Sequence, residues 1–251
     1  MPLLPALAIV AVLAAVAFLG FGSRSEESDV SQKRVAQKVD ALLKDVPQDG
    51  TSLGSPNAPI TLTMFADLEC PTVKRFAEAY LPSVVETWVR SGVMRIDYRS
   101  LETDTVNEGT FFEQEVAALA AGRQDKMWDF VLTFLFEQGQ EGTDYATDEF
   151  FTDVASQVAG LKMTRWRHDR DDARLSRRVA VGVYTAHSVG MSATPSFLIE
   201  VSSDNSHQSF KGKSVESIKE EAKISLRKVL ASLAKEAVGD VPVIKAASSL
   251  G

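Results

Sequence analysis

The 251-residue sequence predicts an α/β domain in the order strand, helix, strand, then an all-helical insert, then a strand hairpin and a closing helix. Three observations predict it. Ile60 to Ala66 (ITLTMFA) is a short apolar run that leads through Asp67-Leu68-Glu69-Cys70-Pro71 into a helical pattern. Val93 to Arg99 (VMRIDYR) alternates apolar and polar residues, as a half-buried strand does. Beyond it the apolar spacing is helical as far as Val189, before Pro195 to Val201 (PSFLIEV) gives another strand.

Taken in order, Leu3 to Gly22 is an uncharged run rich in Ala, Val and Leu, long enough to span the hydrocarbon of a bilayer. A single-pass anchor is expected. A cleaved signal peptide is the competing reading, although no Lys or Arg precedes the run to make a basic n-region. Arg24, Lys33, Arg34 and Lys38 follow it, so charge counting alone would keep the C-terminal part inside. Residues 1–22 are therefore read as anchor or signal, and 23–53 as a juxtamembrane linker with an amphipathic helix over 30–46. That helix places Val35, Val39, Leu42, Leu43 and Val46 at helical spacing. Pro47 to Pro59 (PQDGTSLGSPNAP) breaks the periodicity and reads as the loop entering the main domain, 54–236.

Within that domain a helix is expected from Pro71 through Arg90, with Pro71 at the first helical position, where its missing N–H costs nothing. The insert, at about 105–190, carries apolar stripes at Phe112, Val116, Leu119 and Ala120, at Trp128, Val131, Leu132 and Leu135, and at Phe150, Phe151, Val154 and Val158. Its last helix should run from Ala173 to Val189 and close at Gly190. After the strand at 195–201, Ser203 to Ser206 reads as a turn and Gln208 to Lys211 as the hairpin partner. Ser214 to Glu236 is a final amphipathic helix, and 237–251 a loosely held tail.

Composition sets outer bounds on function. With 27 Lys+Arg against 34 Asp+Glu, the net charge of −7 argues against a nucleic-acid binder, which needs a positive footprint. Three scattered histidines and one cysteine leave no pattern for a transition-metal site, and no cofactor motif is present. The single cysteine, Cys70, also excludes an intrachain disulfide and a CxxC redox pair.

Cys70 is nevertheless the candidate nucleophile. It stands where a buried strand meets a helix, at or beside the N-cap. Free N–H groups and the positive end of the helix dipole stabilise a thiolate there, so a lowered pKa is expected. Asp67 and Glu69 are close in sequence and would oppose that effect. A lone cysteine can equally be an inert core residue.

The segments Gly54-Ser55-Pro56-Asn57-Ala58-Pro59-Ile60-Thr61-Leu62 and Phe65-Ala66-Asp67-Leu68-Glu69-Cys70-Pro71, followed by Phe76, resemble the DsbA-like branch of the thioredoxin superfamily. Glu115 to Ala120 and Lys126 to Phe130 are similar to that family's helical insert, and Val189 to Phe197 to its cis-proline loop. Phe210-Lys211-Gly212 before the last helix fits as well. The resemblance runs from about Gly54 to Leu233 and implies a thioredoxin-like fold with a helical insert, lying on the extracytoplasmic side of a membrane. It also implies that Cys70 is the attacking sulfur and that Pro71, Thr194 and Pro195 are substrate-binding, with Thr194-Pro195 as the contact for substrate backbone.

One position departs from the family pattern. Cys-Pro-x-Cys is replaced by Cys70-Pro71-Thr72-Val73, so no sulfur in this chain can resolve a mixed disulfide. A single thiolate still suffices to form one. The resemblance then implies protein or low-molecular-weight thiol substrates and a separate resolving thiol. The alternative is a redox-inactive peptide- or protein-binding module on the same fold; a glutathione-linked transferase or isomerase is a third. Other features are bland: Gly212-Lys213-Ser214 lacks the phosphate-loop glycine, since position 207 is His. The arginines between Lys162 and Arg178 are diluted by Asp169, Asp171 and Asp172 and read as a solvated helical face, and His187 as a helix-end histidine.

Overall fold

The computed structural model describes residues 30–202, 209–210, 213–234 and 244–246. Residues 1–29, which include the expected anchor at 3–22, lie outside the described residues. Among the described residues no helix is long and apolar enough to cross a membrane.

Helix α1 covers 30–43. It is followed by strands β1 (Gln48–Asp49) and β2 (Ser52–Leu53), then β3 (Ile60–Ala66). Helix α2 (Pro71–Ala79) and the short α3 (Leu81–Val84), extended by a π-helical turn at Val85–Val89, lead to β4 (Met94–Ser100). The insert is five helices: α4 (Glu108–Gly122), α5 (Met127–Glu137), α6 (Asp148–Gln157), α7 (Met163–Arg170) and α8 (Ala173–Ser188). Then come β5 (Ser196–Val201), β6 (Ser209–Phe210), β7 (Lys213–Ser214), α9 (Val215–Ala234) and β8 (Ile244–Ala246).

Six strands form one sheet in the order β1-β2-β4-β3-β5-β8. At its centre β3 runs parallel to β4, with Ala66 opposite Ser100, and antiparallel to β5, with Phe65 opposite Ser196. Six of the seven β3 residues are buried, which explains why its sequence is apolar almost throughout. β4 alternates buried and half-buried residues, as its sequence pattern requires. Phe76 of α2 meets Phe197 of β5 with ring centroids 5.0 Å apart, locking the first helix onto the central strands.

Four expectations are corrected. The helix expected through Arg90 breaks at Tyr80, because in a continuous helix Pro82 would have no N–H to give and its ring would collide with the carbonyl four residues earlier; the break leaves it in the first turn of α3. The stretch 47–59, expected as a loop, contains β1 and β2, reversed about Gly50 in the left-handed region (φ +57°). β2 pairs with β4, and Val39, Leu43, Val46 and Leu53 enter the main core, so the folded unit extends upstream of residue 54. Finally, among the described residues the strand at 196–201 does not pair with Ser209–Phe210, the described part of the expected hairpin partner. Its two edges are occupied by β3 and β8, and β6 pairs with β7 instead. β8 thus adds a parallel strand from within the segment read as a loose tail.

Buried aromatics hold the insert together and in place: Trp128 donates its indole N–H to the carbonyl of Thr51 in the β1–β2 turn (3.1 Å), and Trp166 of α7 donates to the Ala117 carbonyl of α4 (2.9 Å). α8 lies on β4 at Gly182, where an added Cβ would stand 3.1 Å from both the backbone N and O of Ser100. Ser100 is held in register with Ala66 and cannot give way easily. Gly182→Ala is therefore expected to destabilise by about 1–2 kcal/mol despite alanine's better helix propensity, a loss read by urea denaturation.

Candidate functional site

β3 ends at Ala66, and the chain turns through Asp67-Leu68-Glu69 to place Cys70 as the N-cap of α2 with Pro71 at the first helical position. The Cys70 N–H donates to the Asp67 carbonyl (3.2 Å), which closes the turn, and the Cys70 carbonyl accepts the first helical bond from Lys74 N–H (3.2 Å). The Cys70 side chain makes no cap bond of its own to the helix.

Two further loops and one helix end converge on it. The Thr194–Pro195 peptide bond is cis, as the resemblance implied. The Thr194 carbonyl lies 3.6 Å from Cys70 Sγ and accepts its S–H. From the loop after β4, the Thr103 hydroxyl shares a 2.7 Å hydrogen bond with the Thr194 hydroxyl and donates to an Asp104 carboxylate oxygen at 2.7 Å. Gln138, at the C-terminal end of α5, donates its amide to the carbonyls of Leu68 (2.8 Å) and Cys70 (3.3 Å). The insert thus fixes the backbone on both sides of Glu69.

Asp67 organises this arrangement. It is fully buried. One carboxylate oxygen, Oδ2, accepts the backbone N–H groups of Thr103, Asp104 and Thr105 at 2.9, 2.9 and 3.0 Å. The other accepts Glu69 N–H (3.0 Å), the Thr105 hydroxyl (2.6 Å) and the Gln114 amide (3.2 Å). A single side chain therefore joins the cysteine turn, the loop after β4 and helix α4.

The electrostatics run opposite to the expectation of a lowered cysteine pKa. Burial, and then the neighbouring Asp104 carboxylate, push the Cys70 thiol up to about 12. Only 3% of Cys70 is exposed, so desolvation of the thiolate outweighs the helix N-terminus. Glu69 is raised to about 7, first by burial and then by Asp67. Deeper in, Glu115 of α4 is fully buried and accepts hydrogen bonds from Tyr98 Oη (2.8 Å) and Ser100 Oγ (2.6 Å). Burial raises it to about 8 in spite of those two donors.

Cys70, Pro71, Thr194 and Pro195 are thus brought to one place at the C-terminal edge of β3. Val73, where the family pattern has its second cysteine, is fully buried one turn into α2. His187 is exposed near the end of α8. Arg123 pairs with Asp169 (3.0 Å) and Asp172, and Arg170 with Asp148 (2.6 Å), which fits a salt-bridged surface. Among the described residues no three His, Cys, Asp or Glu side chains converge to hold a metal ion. Thr103, Asp104 and Gln138 are site residues that sequence reasoning missed. They come from loops and a helix end with no local motif, and only the fold brings them to Cys70.

Residues 47–216 match the family model described as Thioredoxin. A curated relative, disulfide bond formation protein D of Bacillus subtilis, is 21% identical over 152 residues, spanning 59% of this chain and 66% of the relative, just under two thirds of its length. Among solved structures, oxidised BdbD from Bacillus subtilis superposes with a TM-score of 0.55 at 18% identity, over 73% of this chain and 100% of that one. Wolbachia pipientis alpha-DsbA1 gives 0.54 at 18% identity, over 78% and 98%. A thioredoxin-like oxidoreductase from Silicibacter pomeroyi DSS-3 gives 0.51 at 25% identity, over 75% and 97%. These likenesses establish the fold, helical insert included.

Proposed function

This chain belongs to the thioredoxin family, and we propose that, as a DsbA-like member with one cysteine, it performs thiol–disulfide exchange through Cys70 alone. The observation that carries the reading is the 3.6 Å contact between Cys70 Sγ and the carbonyl of Thr194, at the start of a helix and beside the cis-proline loop. Cys70 attacks a disulfide to give a mixed disulfide, and a thiol from outside the chain resolves it. Thr194 and Pro195 serve as the platform on which the substrate backbone lies. Protein and low-molecular-weight thiols are the partners. The run at 3–22 anchors the chain, which its uncharged sequence supports, and the main domain is extracytoplasmic, which the resemblance to DsbA-like proteins supports against the charge count.

A second reading, a redox-inactive binding module, is favoured by the burial of Cys70 and by valine at position 73. The two are separated by trapping. Full-length protein incubated with oxidised glutathione or a disulfide-bonded peptide is expected to form a mixed disulfide that mass spectrometry maps to Cys70. Cys70→Ser should form none. Val73→Cys should resolve the adduct internally, so that it no longer accumulates. If Cys70 stays unmodified in the native protein and reacts only on unfolding, the exchange reading is lost and the binding module takes its place.

A further inference from the structure

We propose that the cavity between α4, α8 and the β1–β2 turn binds a monocarboxylate with a short aliphatic body, held by Arg178 and the Thr51 hydroxyl. Cys70 does not line this cavity, so the proposal stands apart from the exchange reading.

The cavity measures about 410 Å³, within the range of about 300–1,000 Å³ for small-molecule sites. Close backbone contact builds its wall. A Cβ added at Gly122 of α4 would stand 2.9 Å from the Gly50 carbonyl, so the helix lies directly against the turn. Leu119 of α4 and Leu175 of α8 supply aliphatic surface, and both are buried. Thr51 is fixed by its carbonyl, which accepts the Tyr98 N–H (3.1 Å) and the Trp128 indole N–H (3.1 Å).

Two donors in this cavity lack an acceptor. Thr51 is only 6% exposed, and its hydroxyl accepts from Arg178 Nη2 (3.2 Å). Among the described residues nothing accepts the proton of that hydroxyl, and no carboxylate is in ion-pair contact with Arg178. The other arginines of the cavity differ. Arg123 pairs with Asp169 (3.0 Å) and Asp172, and Arg174 donates Nε–H and Nη2–H to Asp172 (2.9 and 2.7 Å). Asp97 acts on Arg178 at longer range, but Ser52 Oγ (2.6 Å) and Arg95 (3.7 Å) already occupy it. Desolvation, and then the Arg99 guanidinium, lower Arg178, as befits a cation short of a counter-ion.

These unmet groups define the ligand. A guanidinium fork beside a free O–H matches the two oxygens of a carboxylate. The leucines cover an aliphatic body of matching size. Asp49 and Asp125 also line the cavity, and their charges disfavour a dianion such as phosphate. A free carboxylic acid and the C-terminal residue of a peptide share the chemistry required.

The test titrates full-length protein with N-acetyl-leucine, N-acetyl-leucinamide and inorganic phosphate by isothermal titration calorimetry. The acid is expected to bind at least about tenfold more tightly than the amide, the scale of one charge-assisted contact. Arg178→Gln should remove that margin. Arg178→Lys should keep only part of it, because an ammonium lacks the fork. Thr51→Val, nearly isosteric, should weaken binding of the acid severalfold. Urea denaturation checks that each variant is folded, and the three substitutions stand as independent tests where one is not. A hexapeptide ending in leucine separates the sources: tighter binding than N-acetyl-leucine assigns the site to a chain end, weaker binding to a free acid, and either supports the proposal. Equal binding of acid and amide, unaltered binding in folded Arg178→Gln, phosphate bound as tightly as the acid, or no binding of any probe would overturn it.

Discussion

Replacing Asp67 by alanine is expected to cost about 3–5 kcal/mol of stability, the range for removing one partner of a buried charged network. The six donors that converge on this carboxylate, four of them backbone N–H groups, lose their acceptor at once. Each donor left buried and unpaired costs about 1–3 kcal/mol, and water can reach only the more exposed part of the loop. Asparagine should rescue little. Both oxygens face donors only, so an amide must turn its NH₂ against N–H or hydroxyl groups wherever it is placed. Urea denaturation of the wild type, Asp67→Ala and Asp67→Asn measures the effect, and an asparagine variant as stable as the wild type would refute the acceptor role. Because Asp67 holds the backbone of Thr103, Asp104 and Thr105, both variants should also alter the reactivity of Cys70.

The second large effect is a loss of stability with rising pH that originates at Glu115. Its carboxyl is buried and raised to about 8, against an ordinary value of 4.5 in the unfolded chain. Between those two values the folded protein holds a proton that the unfolded chain has released. The contribution is therefore fully present below pH 4.5 and is lost as pH climbs toward 8. At about 1.4 kcal/mol per unit, the loss between pH 5 and pH 8 is about 3 kcal/mol from this residue. Glu69, raised to about 7, acts in the same direction over a narrower window. Glu115→Gln is expected to flatten most of the slope, since a neutral amide can still accept from Tyr98 or Ser100. Chemical denaturation at pH 5, 6.5 and 8 provides the comparison; equal slopes in variant and wild type would place the titration elsewhere.

Much of the fold was legible because burial imposes periodicity. Ile60–Ala66 is apolar almost throughout because β3 is covered on both faces, and α9 spaces Val215, Ile218, Ala222 and Leu226 to bury one stripe. Pairing partners were not legible. β6 and β8 are strands of two and three residues, too short for a period to specify which edge they join. The same holds for β1 and β2, whose Pro- and Gly-rich surroundings read as loop until the free edge of β4 gives them a partner.

At the site, Cys70, Pro71, Thr194 and Pro195 were legible as residue types at the junctions of elements, and so was the absence of a second sulfur at Val73. That one thiol stands at a helix start, on a thioredoxin-like order of elements, follows from the amino-acid order. The state of that thiol follows from packing. A helix N-terminus acts locally and favours the thiolate, whereas desolvation and the Asp104 carboxylate arrive through packing of distant segments and favour the thiol. Here burial, set by contacts across the whole domain, outweighs the local dipole, and neighbours along the chain do not create it.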